Sequence, residues 1–362
     1  MATTTTQTAD ALAERLGGAA LGAYELLTVY LGDRLGLYRA ISERGDMNPG
    51  ELAEAAGIHR RYAREWLEQQ AVAGILEVSE EDGSAEERRF ALPAGCEDVL
   101  LDPESLSYVV PMARFAVSFS SVLPALDEAF RSGGGVPWVA FGEDGLQAQA
   151  AANRPQFANL LGREWLPAIP DVHERLRSGP AARVADVACG VGWSAIAIAR
   201  AYPSVCVDGY DLDESSIERA TANAAEAGLS DRVRFHVRDA GDPELAGRYD
   251  LVTIFEAVHD LARPVEALRT ARSLTGEYGV VLVVDEKVAD SFTAPGDEVE
   301  RLMYTYSVLC CLATGMAEQP SAETGTVMRT ETMRAYAREA GFSDVEVLPI
   351  EHDFFRFYRL RR

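Results

Sequence analysis

The stretch DVACGVGWSA, residues 186–195, joins an apolar run, RVADVAC (183–189), to a helical one. Gly190 and Gly192 at the end of such a strand let a ligand approach the backbone, and the following helix offers the free N–H groups of its first turn. A strand, loop and helix of this kind belong in a parallel sheet, and the rest of the second half supplies one. CVDGYD (206–211), RVRFHV (232–237), YDLVTIF (249–255) and GVVLVVD (279–285) read as further strands, separated by helical segments such as ESSIERATANAAEAG. VEVLPI (345–350) and FFRFYRL (354–360) read as an antiparallel hairpin joined by a short polar turn.

Residues 1–130 have a different texture. Helical patterns over residues 8–40 lead to MNPGELAEAAGIHRRYAREWLEQQAVAGILEV, where Asn48 can cap a helix, Pro49 suits its first position and Glu51 completes a capping box. After Gly57 a second helix begins near His59, with Tyr62, Trp66 and Leu67 as its expected apolar stripe. ILEV and RRFAL, around the acidic loop SEEDGSAEE, complete a winged helix. The glycine-rich stretch at 131–148 is the expected linker, and 149–362 is the α/β domain.

Charge narrows the partners. The chain carries 57 acidic against 34 basic side chains, a net charge of -23, which repels nucleic acid and anionic lipid at long range. His59, Arg60, Arg61 and Arg64 could face DNA, but residues 1–130 alone hold 22 acidic and 10 basic side chains, and the wing itself is acidic. The expected partner is a small molecule, not nucleic acid and not a membrane. MATTTTQTAD has neither the basic nor the apolar stretch of a signal peptide, so a cytoplasmic location is expected. Five cysteines without C-x-x-C spacing fit a reducing compartment, and no cluster has the spacing of a metal site, so no metal is expected.

The glycine loop alone fits two cofactors. A nicotinamide dinucleotide and S-adenosylmethionine both place an acidic residue at the end of the second strand on ribose, and Asp211 is that residue. Three further features separate them: Asp186 before the glycines, Asp239 in RDA (238–240) at the end of the third strand, and the terminal hairpin. Together these resemble a class I S-adenosylmethionine-dependent methyltransferase. The winged helix extends the resemblance to small-molecule O-methyltransferases of the natural-product and phenol type, which use such a module to dimerise and to cover the substrate.

That resemblance implies a Rossmann-like sheet of order 3-2-1-4-5-7-6 and a homodimer formed through the N-terminal domain. It implies that the loop from Asp186 through Ala188, Gly190 and Gly192 holds the methionine portion, Asp211 with Leu212 the ribose, and Asp239 with Ala240 the adenine, while Glu256 touches the cofactor. Ala188 departs from the family, whose first loop position is usually glycine; a methyl group fits there if the backbone angles are ordinary. Asp208 and Asp213 are expected to be solvated.

The implied chemistry moves a methyl group from S-adenosylmethionine to oxygen, nitrogen or carbon of a small, fairly apolar metabolite, in secondary metabolism. His259 in AVHDLARPVEALR is the candidate base, similar to the His-Asp pair of plant phenol methyltransferases, although Leu261 stands where those have tryptophan. Glu286 could orient substrate or base, but a charge there is more often solvated. Residues 287–344 form an insertion whose helix EVERLMYTYSVLCCLATGM is expected to be buried on more than one side, as a lid or a dimer contact. A winged-helix regulator, an enzyme that binds S-adenosylmethionine without methylating, and a nicotinamide-dependent oxidoreductase remain open alternatives.

Overall fold

The computed structural model describes residues 8–80, 84–178, 181–245 and 247–362. The chain divides into two compact units, one of residues 1–120 with 147–152, the other of residues 121–146 with 153–362.

In the first unit, α1 (Ala9–Arg34), α2 (Leu37–Arg44), α3 (Pro49–Ala56) and α4 (Arg60–Val72) precede the antiparallel pair β1 (Glu77–Glu80) and β2 (Arg89–Ala91). The capping box at Asn48 and Glu51 is formed, and Gly57 ends α3 in the left-handed region that glycine tolerates. The middle of the wing loop, 81–83, lies outside the described residues. Ala63, Trp66, Leu67 and Gln70 make the buried face of α4. Tyr62 does not join it: this side chain is 75% exposed and meets the His59 ring edge-on, because the 3.6-residue period starts the buried stripe one position later. Arg60 and Arg64 reach back to Glu86 at 2.6 and 2.9 Å, and Arg61 pairs with Glu65. Leu16, Leu21, Tyr24 and Leu31 of α1 stay exposed.

The second unit is built on a seven-stranded sheet of β3 (Arg183–Val187), β4 (Cys206–Asp211), β5 (Val233–Val237), β6 (Tyr249–Phe255), β7 (Thr275–Glu286), β8 (Asp344–Val347) and β9 (Phe355–Arg361), in the order β5-β4-β3-β6-β7-β9-β8. This is the expected order. The first five strands run parallel and β9 runs antiparallel to β7 and β8. Chain order reverses between β4 and β6 on either side of β3, so the crevice at that point opens above the carboxyl ends of these strands. Val184, Val252, Leu282 and their neighbours are fully buried, since helices cover both faces.

Three boundaries differ from expectation. The connection between β8 and β9 spans residues 348–354, longer than a tight turn, and His352 organises it by accepting the N–H groups of Phe354 and Phe355, both at 3.1 Å. Within the glycine-rich segment the chain is already helical over Trp138–Phe141 and Gly142–Gln156. The insertion helix runs as Glu298–Tyr306, a π-helical turn Ser307–Cys311, and Leu312–Gly315. Met303 and Cys310 are buried, but Tyr304 and Val308 are exposed at 38% and 47%, so this helix is not covered all round. The π turn inserts extra backbone and rotates the residues after it, which plain 3.6 periodicity does not anticipate.

Candidate active site

The loop after β3 is held by a carboxylate that faces inward. Asp186 accepts hydrogen bonds from Ser194 Oγ at 2.5 Å and Thr253 Oγ1 at 2.7 Å, tying the start of helix Trp193–Ala201 to β6. Its burial raises its pKa to about 6. Asp186 therefore shapes the loop from below. Gly190 and Gly192 both adopt positive φ, 50° and 82°. At Gly192 a Cβ would also stand 2.4 Å from the Phe235 ring, so only glycine fits on two counts. Ala188 has φ 57°, so the condition of ordinary backbone angles under which its methyl group was expected to fit is not met, and the residue carries left-handed strain.

Above the loop lies a recess lined by Ala188, Asp211, Leu212, Asp239, Ala240 and Arg263, with Leu261 at its side. Asp211 accepts Gly190 N–H at 2.8 Å on Oδ2 and Asp213 N–H at 2.9 Å on Oδ1. Each oxygen has a lone pair left over, which suits a pair of hydroxyl donors. Burial raises the pKa of Asp211. Asp239 accepts Gly241 N–H at 2.7 Å and faces Arg263 at 3.2 Å. Arg263, which sequence reading did not single out, also reaches Glu318 at 3.5 Å. Asp208 and Asp213, expected to be solvated, are structural: Asp208 binds Arg183 and Tyr249, both at 2.9 Å, and Asp213 caps helix Glu214–Glu226 through Ser216 N–H.

Gly190, Gly192, Glu256 and His259 do not line that recess. Glu256 and His259 belong to a second cluster at the ends of β6 and β7. His259 Nδ1 stands 2.6 Å from Asp285 Oδ1 and 3.3 Å from Glu286 Oε2, and its Nε2 stands 3.4 Å from Asp260 Oδ1. Glu286 is buried at 8% exposure, not solvated, because β7 is covered on both faces to its last residue. Glu256 follows β6 with φ 50° and donates its backbone N–H to Val284 at 2.7 Å. Its side chain bonds Asn153. A non-glycine residue held at positive φ marks local strain, and strain of this kind gathers at functional sites.

The electrostatics follow from crowding. Burial works against a charged His259, but Glu286, Asp285 and Asp260 outweigh it and hold the imidazole well above its ordinary value. Asp285 is pulled low, its burial offset by His259. Burial drives Glu256 up to about 8 and Glu286 well above the carboxylate range, with Asp285 adding to both. The Cys311 thiol, brought in by the π turn, lies against His259 and Asp260, all three ligand atoms within 4.8 Å of one another. By distance alone, that trio and the set His259, Asp285 and Glu286 could each hold a metal ion. His236 bonds Asp208 at 3.3 Å, His173 bonds Tyr202 at 2.8 Å, and His59 caps α4.

Residues 178–337 match the family model described as a methyltransferase domain, and residues 23–100 match the one described as an Rv2258c-like winged HTH domain. The chain is 41% identical over 91 residues to a tocopherol O-methyltransferase of Oryza sativa subsp. japonica, covering 25% of this chain and 24% of the relative. It spans less than half the length of the curated relatives it matches. Human N-acetylserotonin methyltransferase, solved with S-adenosylmethionine, shares the fold at a TM-score of 0.73 and 17% identity, with 99% of both chains covered. An N,N-8-amino-8-demethyl-D-riboflavin dimethyltransferase from Streptomyces davawensis does so at 0.61 and 19%, covering 98% of this chain and 99% of its own.

Proposed function

We propose that this chain, which joins a winged HTH domain to a methyltransferase domain, transfers the methyl group of S-adenosylmethionine to a small, fairly apolar metabolite in secondary metabolism. The observation that carries the reading is the recess, where Asp211 and Asp239 stand beside Ala188 of the loop that follows β3. Ribose hydroxyls fit the open lone pairs of Asp211, with Leu212 beside them; the adenine fits between Ala240 and Asp239. The backbone of Ala188, Gly190 and Gly192, held up by Asp186, fits the methionine portion, and Glu256 lies beyond it. When bound, the cofactor supplies an electrophilic methyl on a sulfonium.

The protein's share of the work is alignment and exclusion of water. His259, oriented by Asp285, takes up the acceptor's proton. The exposed leucines of α1 are the surface through which two copies pair. Salt bridges from Arg60 and Arg64 to Glu86 leave α4 ill suited to phosphate, which supports a substrate-binding protein over a DNA-binding regulator. Among the described residues, no helix is long and apolar enough to cross a membrane.

The test is incubation with S-adenosylmethionine labelled in its methyl group and a fraction of small metabolites. Label appearing in a product of low molecular mass supports the proposal. Tight S-adenosylhomocysteine binding with the label never leaving its cofactor would point to a regulator or a non-methylating enzyme, and tight NADH binding to an oxidoreductase.

A further inference from the structure

Resting on the reading above, we infer that Arg263 selects the adenine base of the cofactor by donating a hydrogen bond to its ring nitrogen N7, beside the 6-amino group that donates to Asp239. Arg263 lines the recess together with Asp239 and Glu318, and among the described residues it is the one cation there. It closes the loop after β6, just before Pro264 opens the helix Pro264–Leu274. That loop is tied down, since Ala262 accepts the Ala322 N–H at 2.8 Å. Three carboxylates from three parts of the fold converge on the guanidinium: Asp239 at 3.2 Å, Glu266 at 3.4 Å and Glu318 at 3.5 Å. Each pair is partly exposed and contributes little alone, but together they hold a long side chain against the recess wall.

These contacts leave donors over. Nη2 serves Asp239 and Glu318 and Nε faces Glu266, while no hydrogen bond or ion pair among the described residues involves Nη1. The wall beside Arg263 is made of small residues, Ala240, Gly241, Ala262 and Ala267, which leaves room for a flat ring.

Adenine presents a donor, its 6-amino group, next to an acceptor, N7, on one edge. Reading that edge takes an acceptor beside a donor, which one amide side chain supplies when a protein reads adenine in DNA. Here Asp239 and the Arg263 guanidinium stand side by side, 3.2 Å apart at Oδ2 and Nη2, and supply the same pair from two side chains. A 6-oxopurine shows two acceptors on that edge, so Asp239 would face an oxygen with no proton between them. Arg263 is thus a specificity-determining residue as well as a brace for its loop.

S-tubercidinylhomocysteine, which is S-adenosylhomocysteine with CH in place of N7, removes that acceptor and nothing else. By calorimetry the wild-type protein should bind it at least about 5-fold more weakly than S-adenosylhomocysteine, the scale of one lost hydrogen bond. Arg263→Met should weaken S-adenosylhomocysteine by a similar factor and make the two ligands equal, and Arg263→Lys, which keeps a donor, should keep part of the preference. A side chain that only braced the loop would weaken both ligands alike on substitution and leave their ratio unchanged. Equal affinity of the two ligands for wild type overturns the inference, and this comparison needs no variant; a preference that Arg263→Met fully retains overturns it as well. Binding of neither ligand by the wild-type protein overturns the cofactor reading, and this inference with it.

Discussion

His259 and Asp285 form a dyad at 2.6 Å, with both side chains withdrawn from solvent and each shifting the other's proton affinity. Asp285 is the last but one residue of β7 and His259 lies four residues past β6, so two adjacent parallel strands deliver the pair. The imidazole is thereby fixed with Nδ1 toward Asp285 and Nε2 toward Asp260.

From this geometry, Asp285→Asn should lower turnover by about 100-fold, the scale of lost acid-base assistance, with little change in S-adenosylhomocysteine affinity. The pH profile carries the sign. Carboxylates raise the pKa of His259, so wild-type turnover should climb as pH rises through that raised value and the imidazole becomes free to accept a proton. Removing the Asp285 charge should shift the climb to lower pH, which steady-state kinetics across pH would record.

Gly192 and Ala188 give opposite expectations from the same left-handed backbone. Gly192→Ala should cost about 2 kcal/mol or more, since φ 82° is joined by a clash with Phe235. Ala188→Gly should stabilise by about 1 kcal/mol by removing the strain at φ 57°. Urea denaturation of the two variants measures both.

Glu256 links stability to pH. Its pKa is raised to about 8 in the folded state, so the folded protein binds this proton more tightly than the unfolded chain does. The stabilisation is complete below the unfolded carboxyl value and is lost as pH rises through about 8, at a slope of up to about 1.4 kcal/mol per pH unit. Glu256→Gln should therefore gain stability relative to wild type as pH is raised, and the gain should level off above that point. Thermal denaturation from pH 5 to 9 checks it.

Much of the sheet was legible because parallel strands buried on both faces leave continuous apolar runs, as at YDLVTIF, and the glycine loop marks where the first of them ends. The order of strands came with the resemblance, not with the pattern. Asp211 and Asp239 were findable as acids that end strands, and they line one recess. Asp285 was missed although it ends an evident strand, because only the neighbour relation of β6 and β7 shows that it meets His259. Arg263 was passed over beside Pro264, in a loop with no periodicity to read. Cys311 had no signal at all, since a π turn sets its direction and sequence spacing assumes none.

Calorimetric titration of S-adenosylhomocysteine into the purified chain and into the Asp211→Asn, Asp239→Asn double variant tests the central claim most directly. Saturable binding to wild type, weakened by at least about 10-fold in the variant as charged acceptors are lost, is the predicted result. No binding to the wild-type protein, or an affinity the double variant fully retains, would contradict it.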